Sequence, residues 1–141
     1  MKQFSTQAAE ATKRMRELFF ATPLQRNDHL STIYGADIWL KREDLSPVRS
    51  YKLRGAYNAM GKQADKEVFV CASAGNHAQG VAFVCRHMRK KGVIFMPVTT
   101  PQQKISKTRL FGGEWVEVRL VGDYFDDTLR ASQSYCAEVD G

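Results

Sequence analysis

Hydrophobic and polar positions change their period along this chain. Ala8, Ala11, Met15, Leu18 and Phe19 are apolar near helical spacing. Ser5 or Thr6 can cap a helix that runs to about Phe20, and Thr22-Pro23 stops it. Asp37–Lys41, with Ile38 and Leu40 opposite Trp39, reads as a strand. From Tyr51 onward the pattern becomes regular. It predicts a helix over Tyr51–Gly61, a strand over Val68–Ala72, a helix over Asn76–Lys90 and a strand over Val93–Val98. A helix over Pro101–Phe111, a strand over Trp115–Arg119 and a helix over Tyr124–Glu138 follow. Gly92 and Gly112-Gly113 fall where helices end and read as C-cap glycines, and Asp123 reads as an N-cap. Phe83, Val84 and Met88 read as core. Alternating strands and helices predict an α/β fold, a parallel sheet covered by helices on its faces. Ligands of such sheets bind beyond the strand C-termini.

With 141 residues there is enough chain for one domain with a sizeable core. No apolar run approaches a membrane span, and Met1–Glu10 has no apolar core of the kind a signal peptide needs. Cys71, Cys85 and Cys136 are odd in number and lack CxxC spacing, so they read as reduced thiols of a cytoplasmic protein. His29 and His87 show no metal-ligand spacing, and no metal is expected. The net charge of +6 raises nucleic-acid binding as a reading. Against it, Arg86, Arg89, Lys90 and Lys91 gather at a predicted helix C-terminus, where cations suit the dipole, and no aromatics are interleaved. The basic excess reads as a solvated surface.

Candidate chemistry sits in two stretches. In Lys41–Asn58 a charged, turn-rich half ends at Ser46-Pro47, and a helix begins after Ser50 with Lys52 in its first turn. A cation there faces the positive end of the helix dipole. With partial burial, this position would leave more free amine to attack a carbonyl. Twenty-one residues further on, Ser73-Ala74-Gly75-Asn76-His77-Ala78-Gln79-Gly80 follows the predicted strand Val68–Ala72 and opens a helix. Strand, small-residue turn and helix N-terminus can hold an anion on backbone N–H groups. Gly75 allows a close backbone approach and Asn76 places an amide at the turn. Read singly, Lys52 is a solvent-facing lysine and the turn an ordinary strand–helix connection. Their occurrence together is the informative observation.

Ser50-Tyr51-Lys52-Leu53-Arg54-Gly55-Ala56 followed by Ser73–Gly80 resembles the pyridoxal-phosphate lyases of the threonine dehydratase family. Lys41-Arg42-Glu43-Asp44-Leu45, Thr22-Pro23-Leu24, Met96-Pro97 and Lys104–Gly113 carry the same resemblance. It implies a parallel three-layer sandwich, the truncated small domain of the tryptophan-synthase-beta-like, fold-type II architecture. Residues 1–45 would be an N-terminal helix and strand that pack on a larger domain, and 46–141 the small α/β domain bearing the lysine. The implied cofactor is pyridoxal 5′-phosphate. Lys52 would bond its aldehyde and serve as the base for the substrate α-proton. Asn76 would hydrogen-bond the cofactor's 3′-oxygen, and Tyr51 would lie near its ring. Ser73, Ala74, Gly75, Asn76 and His77 would hold the substrate carboxylate. Arg54 and Lys41–Asp44 are expected to be structural, and His77 to be hydrogen-bonded to the turn it follows.

The implied reaction is deamination of L-threonine to 2-oxobutanoate and ammonia, in isoleucine biosynthesis or threonine catabolism. L-serine is the alternative substrate. Serine racemases are similar over this region but carry a serine where this chain has Ala74. A methyl group can neither donate nor accept a proton, which favours elimination over racemisation. Members of the family are longer, form homo-oligomers and bind the cofactor phosphate with a run of glycines. Here the ten glycines include one adjacent pair, Gly112-Gly113. The chain is therefore expected to be an N-terminal fragment with negligible turnover alone. A non-catalytic α/β interaction module is the alternative from another class.

Overall fold

The computed structural model describes residues 2–139. Met1, Asp140 and Gly141, at the ends of the two expected segments, lie outside the described residues. The chain forms two compact units that divide between Tyr51 and Lys52.

The first unit opens with α1 (Lys2–Leu18). This helix ends two residues before the expected Phe20, and of its predicted apolar face Met15 alone is buried. Strand β1 (Leu24–Arg26) pairs antiparallel with β2 (Trp39–Lys41), Leu24 opposite Lys41 and Arg26 opposite Trp39. Between them lies α2 (Asp28–Tyr34), a helix that hydrophobic spacing did not predict. Seven residues are too few to establish a period, but its ends carry cap signals. The Asn27 side chain accepts from the Leu30 N–H at 2.9 Å, and Gly35 takes the left-handed C-cap conformation at φ 61°. Lys41–Asp44 binds this unit together. The Lys41 ammonium donates to the Thr22 carbonyl, Thr22 Oγ1 donates to Glu43 Oε1 at 2.5 Å, and Arg42 forks onto Asp44 at 2.9 and 2.7 Å. Arg42 also donates to Gln25 Oε1 at 2.6 Å.

The second unit is the predicted α/β sandwich. Strands β3 (Val68–Ala72), β4 (Lys91–Met96) and β5 (Val116–Leu120) form a parallel sheet in the order β3-β4-β5. Central β4 is buried from Gly92 to Met96, as expected of a parallel strand covered on both faces. Alternation along β4 sorts its side chains between two layers. The Gly92 face meets Cys85 of α4 (Asn76–Met88), while the Phe95 ring meets Tyr135 of α6 (Phe125–Val139) at 5.8 Å between centroids. α5 (Gln102–Gly112) packs on β5 beside α4, with Phe83 edge-to-face on Phe111.

α3 (Lys52–Gly61) completes the helical layer by packing on α4. Its buried residues Leu53, Ala56, Tyr57 and Met60 follow the i, i+3, i+4, i+7 spacing of one helix face. Burying Leu53 and Met60 contributes roughly 1.5–3 kcal/mol each.

One glycine is reassigned. Gly92 is not a helix cap but the second residue of β4, paired with Phe69 and Val116. The cap of α4 is Arg89, left-handed at φ 55°, whose N–H returns to the carbonyls of Arg86 and Cys85. Gly113 does close α5, at φ 57°. No helix among the described residues is long and apolar enough to cross a membrane, and none of the three cysteines is in a disulfide.

Candidate active site

Lys52 is the first residue of α3 and is exposed. The described chain by itself therefore does not meet the condition of partial burial around this amine. What holds the lysine in place is its backbone. A Cβ built on Gly80, in the second turn of α4, would stand 3.3 Å from the Lys52 carbonyl carbon, 3.3 Å from the Leu53 nitrogen and 3.4 Å from the Leu53 Cα. The first turn of α3 thus rests directly on the backbone of α4, and Leu53, fully buried, anchors it there.

The turn before α4 lies where β3 ends. Ser73 continues the sheet ladder, its N–H donating to the Phe95 carbonyl at 3.0 Å. Its hydroxyl oxygen accepts from the Gly75 and Ala78 N–H groups, both at 3.3 Å. Ser73 thereby satisfies the third amide of α4. The first two, on Asn76 and His77, have no acceptor within the helix, as at any helix start. Asn76 is exposed and His77 lies at the surface with its ring partly covered, while Ser73, Ala74 and Gly75 are half-buried. No atom lies within 4 Å of where a Gly75 Cβ would be, so the space beside the turn is open.

Electrostatics tie the lysine to this turn. Partial burial of the His77 ring, and after it the Lys52 ammonium, hold His77 below the ordinary histidine value of 6.5. The turn's own hydrogen bonds run through Ser73 rather than through the His77 ring expected to make them.

The structure thus seats the start of α3, with Lys52, on α4 at Gly80, one turn into the helix that the Ser73–His77 segment opens. Sequence reasoning counted Gly80 only as the end of the turn motif. Its signal was a glycine inside a helix with no turn to make. Tyr51 closes the first unit and is exposed. Ser50 belongs to that unit too. Its N–H donates to Ser46 Oγ, which donates to the Ser50 carbonyl, both at 3.0 Å, so Ser50 closes a loop rather than capping α3 through its side chain.

Other candidate groups fall outside this constellation. Burial pushes the Cys71 and Cys85 thiols up to about 12, which keeps them protonated and poor nucleophiles. No cluster of metal-ligating side chains occurs among the described residues. A hollow of about 560 Å³ among Glu67, Arg89, Lys91, Glu114 and Trp115 lies at the opposite edge of the sheet, where the strands begin. Ion pairs Lys90–Glu67 and Arg119–Glu117 balance charge around it.

Residues 15–141 match the sequence profile of the pyridoxal-phosphate dependent enzymes. Over 130 residues the chain is 50% identical to the biosynthetic L-threonine dehydratase IlvA of Bacillus subtilis, covering 90% of this chain and 31% of that protein. The chain thus spans about a third of the length of the curated relatives it matches. Its fold is similar to that of the processed form of threonine deaminase isoform 2 from Solanum lycopersicum, with a TM-score of 0.85 and 33% identity. That match covers 99% of this chain and 39% of the tomato chain. Maize serine racemase has a TM-score of 0.85 at 21% identity over 96% of this chain and 41% of its own, a likeness of fold alone.

Proposed function

Because this chain belongs to the pyridoxal-phosphate dependent enzyme family, we propose that it carries the lysine-bearing half of a threonine dehydratase active site, acting on L-threonine to give 2-oxobutanoate and ammonia. One observation carries the reading. Lys52, exposed at the start of α3, has its backbone seated through Gly80 on α4, the helix whose first amides, after a strand and a small-residue turn, have no acceptor within the helix.

The residues present fit pyridoxal phosphate. Lys52 is accessible to an aldehyde, Asn76 offers an exposed amide at the turn, and the space off Gly75 is open. When bound, the cofactor supplies an electron sink for the pair left on the substrate α-carbon. Lys52 Nζ would hold the cofactor by its aldehyde, and the same Nζ, once exchanged for the substrate's amino group, would take the α-proton. The N–H groups of Asn76 and His77, at the positive end of α4, would bind and orient the substrate carboxylate, assisted by the backbone of Ser73–Gly75. Asn76 would hydrogen-bond the cofactor's 3′-oxygen and Tyr51 would line its ring. Ala74, where the similar serine racemases carry a serine, would offer a methyl group in place of a proton-transferring hydroxyl, which supports elimination over racemisation.

The domain division belongs to the same reading: residues 1–45 pack on a larger domain and 46–141 form the lysine-bearing small domain. So do a homo-oligomeric full-length protein and a cytoplasmic location, in keeping with three cysteines outside any disulfide. The test is cofactor capture. Purified chain is mixed with pyridoxal phosphate, reduced with borohydride and peptide-mapped. Label concentrated on Lys52 and abolished there by Lys52→Gln supports the assignment. Label scattered over surface lysines refutes a preformed half-site. A chain carrying the remaining two-thirds of the relatives' length should, on mixing, restore threonine-dependent 2-oxobutanoate.

A further inference from the structure

We propose that Gly80 is a positioning residue for Lys52: lacking a side chain, it lets the first turn of α3 seat on α4 and so fixes where the lysine amine stands relative to the Ser73–His77 turn. This rests on the role proposed above for Lys52.

Three observations lead to it. Gly80 lies within α4, and its φ is not among the positive values, which occur at Gly35, Gly113 and Gly122. Its backbone thus makes no demand that alanine could not meet, and inside a helix glycine costs about 0.5–1 kcal/mol relative to alanine. What a side chain meets there is crowding: a Cβ at 3.3–3.4 Å from its neighbours requires them to give by a few tenths of an ångström. The atoms facing its missing Cβ are backbone atoms of Lys52 and Leu53, not the ends of flexible side chains. Finally, α4 has nowhere to retreat. Ala78, Ala82, Val84 and Cys85 are fully buried, and Cys85 already presses on the sheet at Gly92. A methyl group on Gly80 therefore moves the start of α3, and Lys52 is its first residue.

The experiment compares the chain with Gly80→Ala and Gly61→Ala. Gly61 ends the same helix, and a Cβ there would meet no atom within 4 Å. Each protein is reacted with pyridoxal phosphate, reduced and mapped. The His77 ring is titrated by NMR without cofactor, and far-UV circular dichroism reports the fold. Gly80→Ala is expected to keep its fold, to lose on the order of tenfold in the share of label at Lys52, as misplacement of a reacting group by a fraction of an ångström does, and to show His77 titrating closer to an ordinary histidine. Gly61→Ala should change neither readout. A folded Gly80→Ala with unchanged label share and unchanged His77 titration overturns the proposal. So does outright unfolding, which would make Gly80 a packing residue only. If the unsubstituted chain does not concentrate label on Lys52, the cofactor reading fails. The His77 titration then still decides positioning, a shift in Gly80→Ala supporting it and no shift overturning it.

Discussion

A Cβ on Gly92 would stand 2.6 Å from the Sγ of Cys85, closer than atoms pack, and 3.1 Å from Val116 Cγ2. α4 and the central strand therefore meet at a point where one residue has no side chain at all.

Gly92→Ala is expected to destabilise the chain by roughly 1–3 kcal/mol, the usual cost of overpacking a filled core. Removing the opposing sulfur should relieve part of this. In urea unfolding, Cys85→Ala/Gly92→Ala should lose less than the sum of the two single variants. Strict additivity would show that the two residues do not press on each other.

Gly92 also shows where sequence reasoning stopped. The glycine was visible, but a helix cap and a close helix–strand approach use the same letter for different reasons. Period carried the alternating half well. β3 was located residue for residue, and α3 to α6 to within two residues at each end, because each has a buried face several turns or residues long. α2 and β1 were missed, since seven and three residues cannot display a period. The candidate site was legible as two motifs, Lys52 in one and Ser73–Gly80 in the other. That Gly80 backs directly onto Lys52 was not, because the contact joins residues 28 positions apart through packing of α3 on α4. The exposure of Lys52 was not legible for a related reason. Local sequence places a lysine in a first turn but does not supply what covers it.

Thr128 is fully buried, and its hydroxyl can donate to the Val121 carbonyl at 2.7 Å or the Tyr124 carbonyl at 3.1 Å. It ties the start of α6 to the end of β5. Thr128→Val keeps the shape but leaves the partly buried Val121 carbonyl without its donor, an expected loss of about 1 kcal/mol in chemical denaturation. Thr128→Ser retains the donor and should lose less. Equal losses in the two variants would assign the effect to packing instead.

The thiols make a pH prediction. Burial pushes Cys71 and Cys85 up to about 12 from an ordinary value of 9.0. Above that ordinary value the unfolded chain releases protons that the native chain keeps, so stability should fall as pH rises from 9 toward 12. In the native chain near pH 8, alkylation followed by mass spectrometry should modify half-buried Cys136 well before buried Cys85. Cys85, fully buried, should react only on unfolding. Early modification of Cys85 would contradict the burial of α4 against the sheet.

His77 gives the most direct reading of where Lys52 stands. Its ring is held below 6.5 first by partial burial and then by the Lys52 ammonium. The native ring resists a proton that the unfolded chain accepts, so its contribution to stability is intact above 6.5 and is lost as pH falls through the lowered native value. Lys52→Gln removes the charge and leaves the burial. The His77 midpoint should therefore rise by NMR titration, yet stop short of the ordinary histidine value because the larger cause remains. An unmoved midpoint would place the ammonium away from the ring. A midpoint restored fully would make the lysine, not burial, the dominant cause. The intermediate result is the one required if the amine stands over the start of α4, where the incoming carboxylate is proposed to bind.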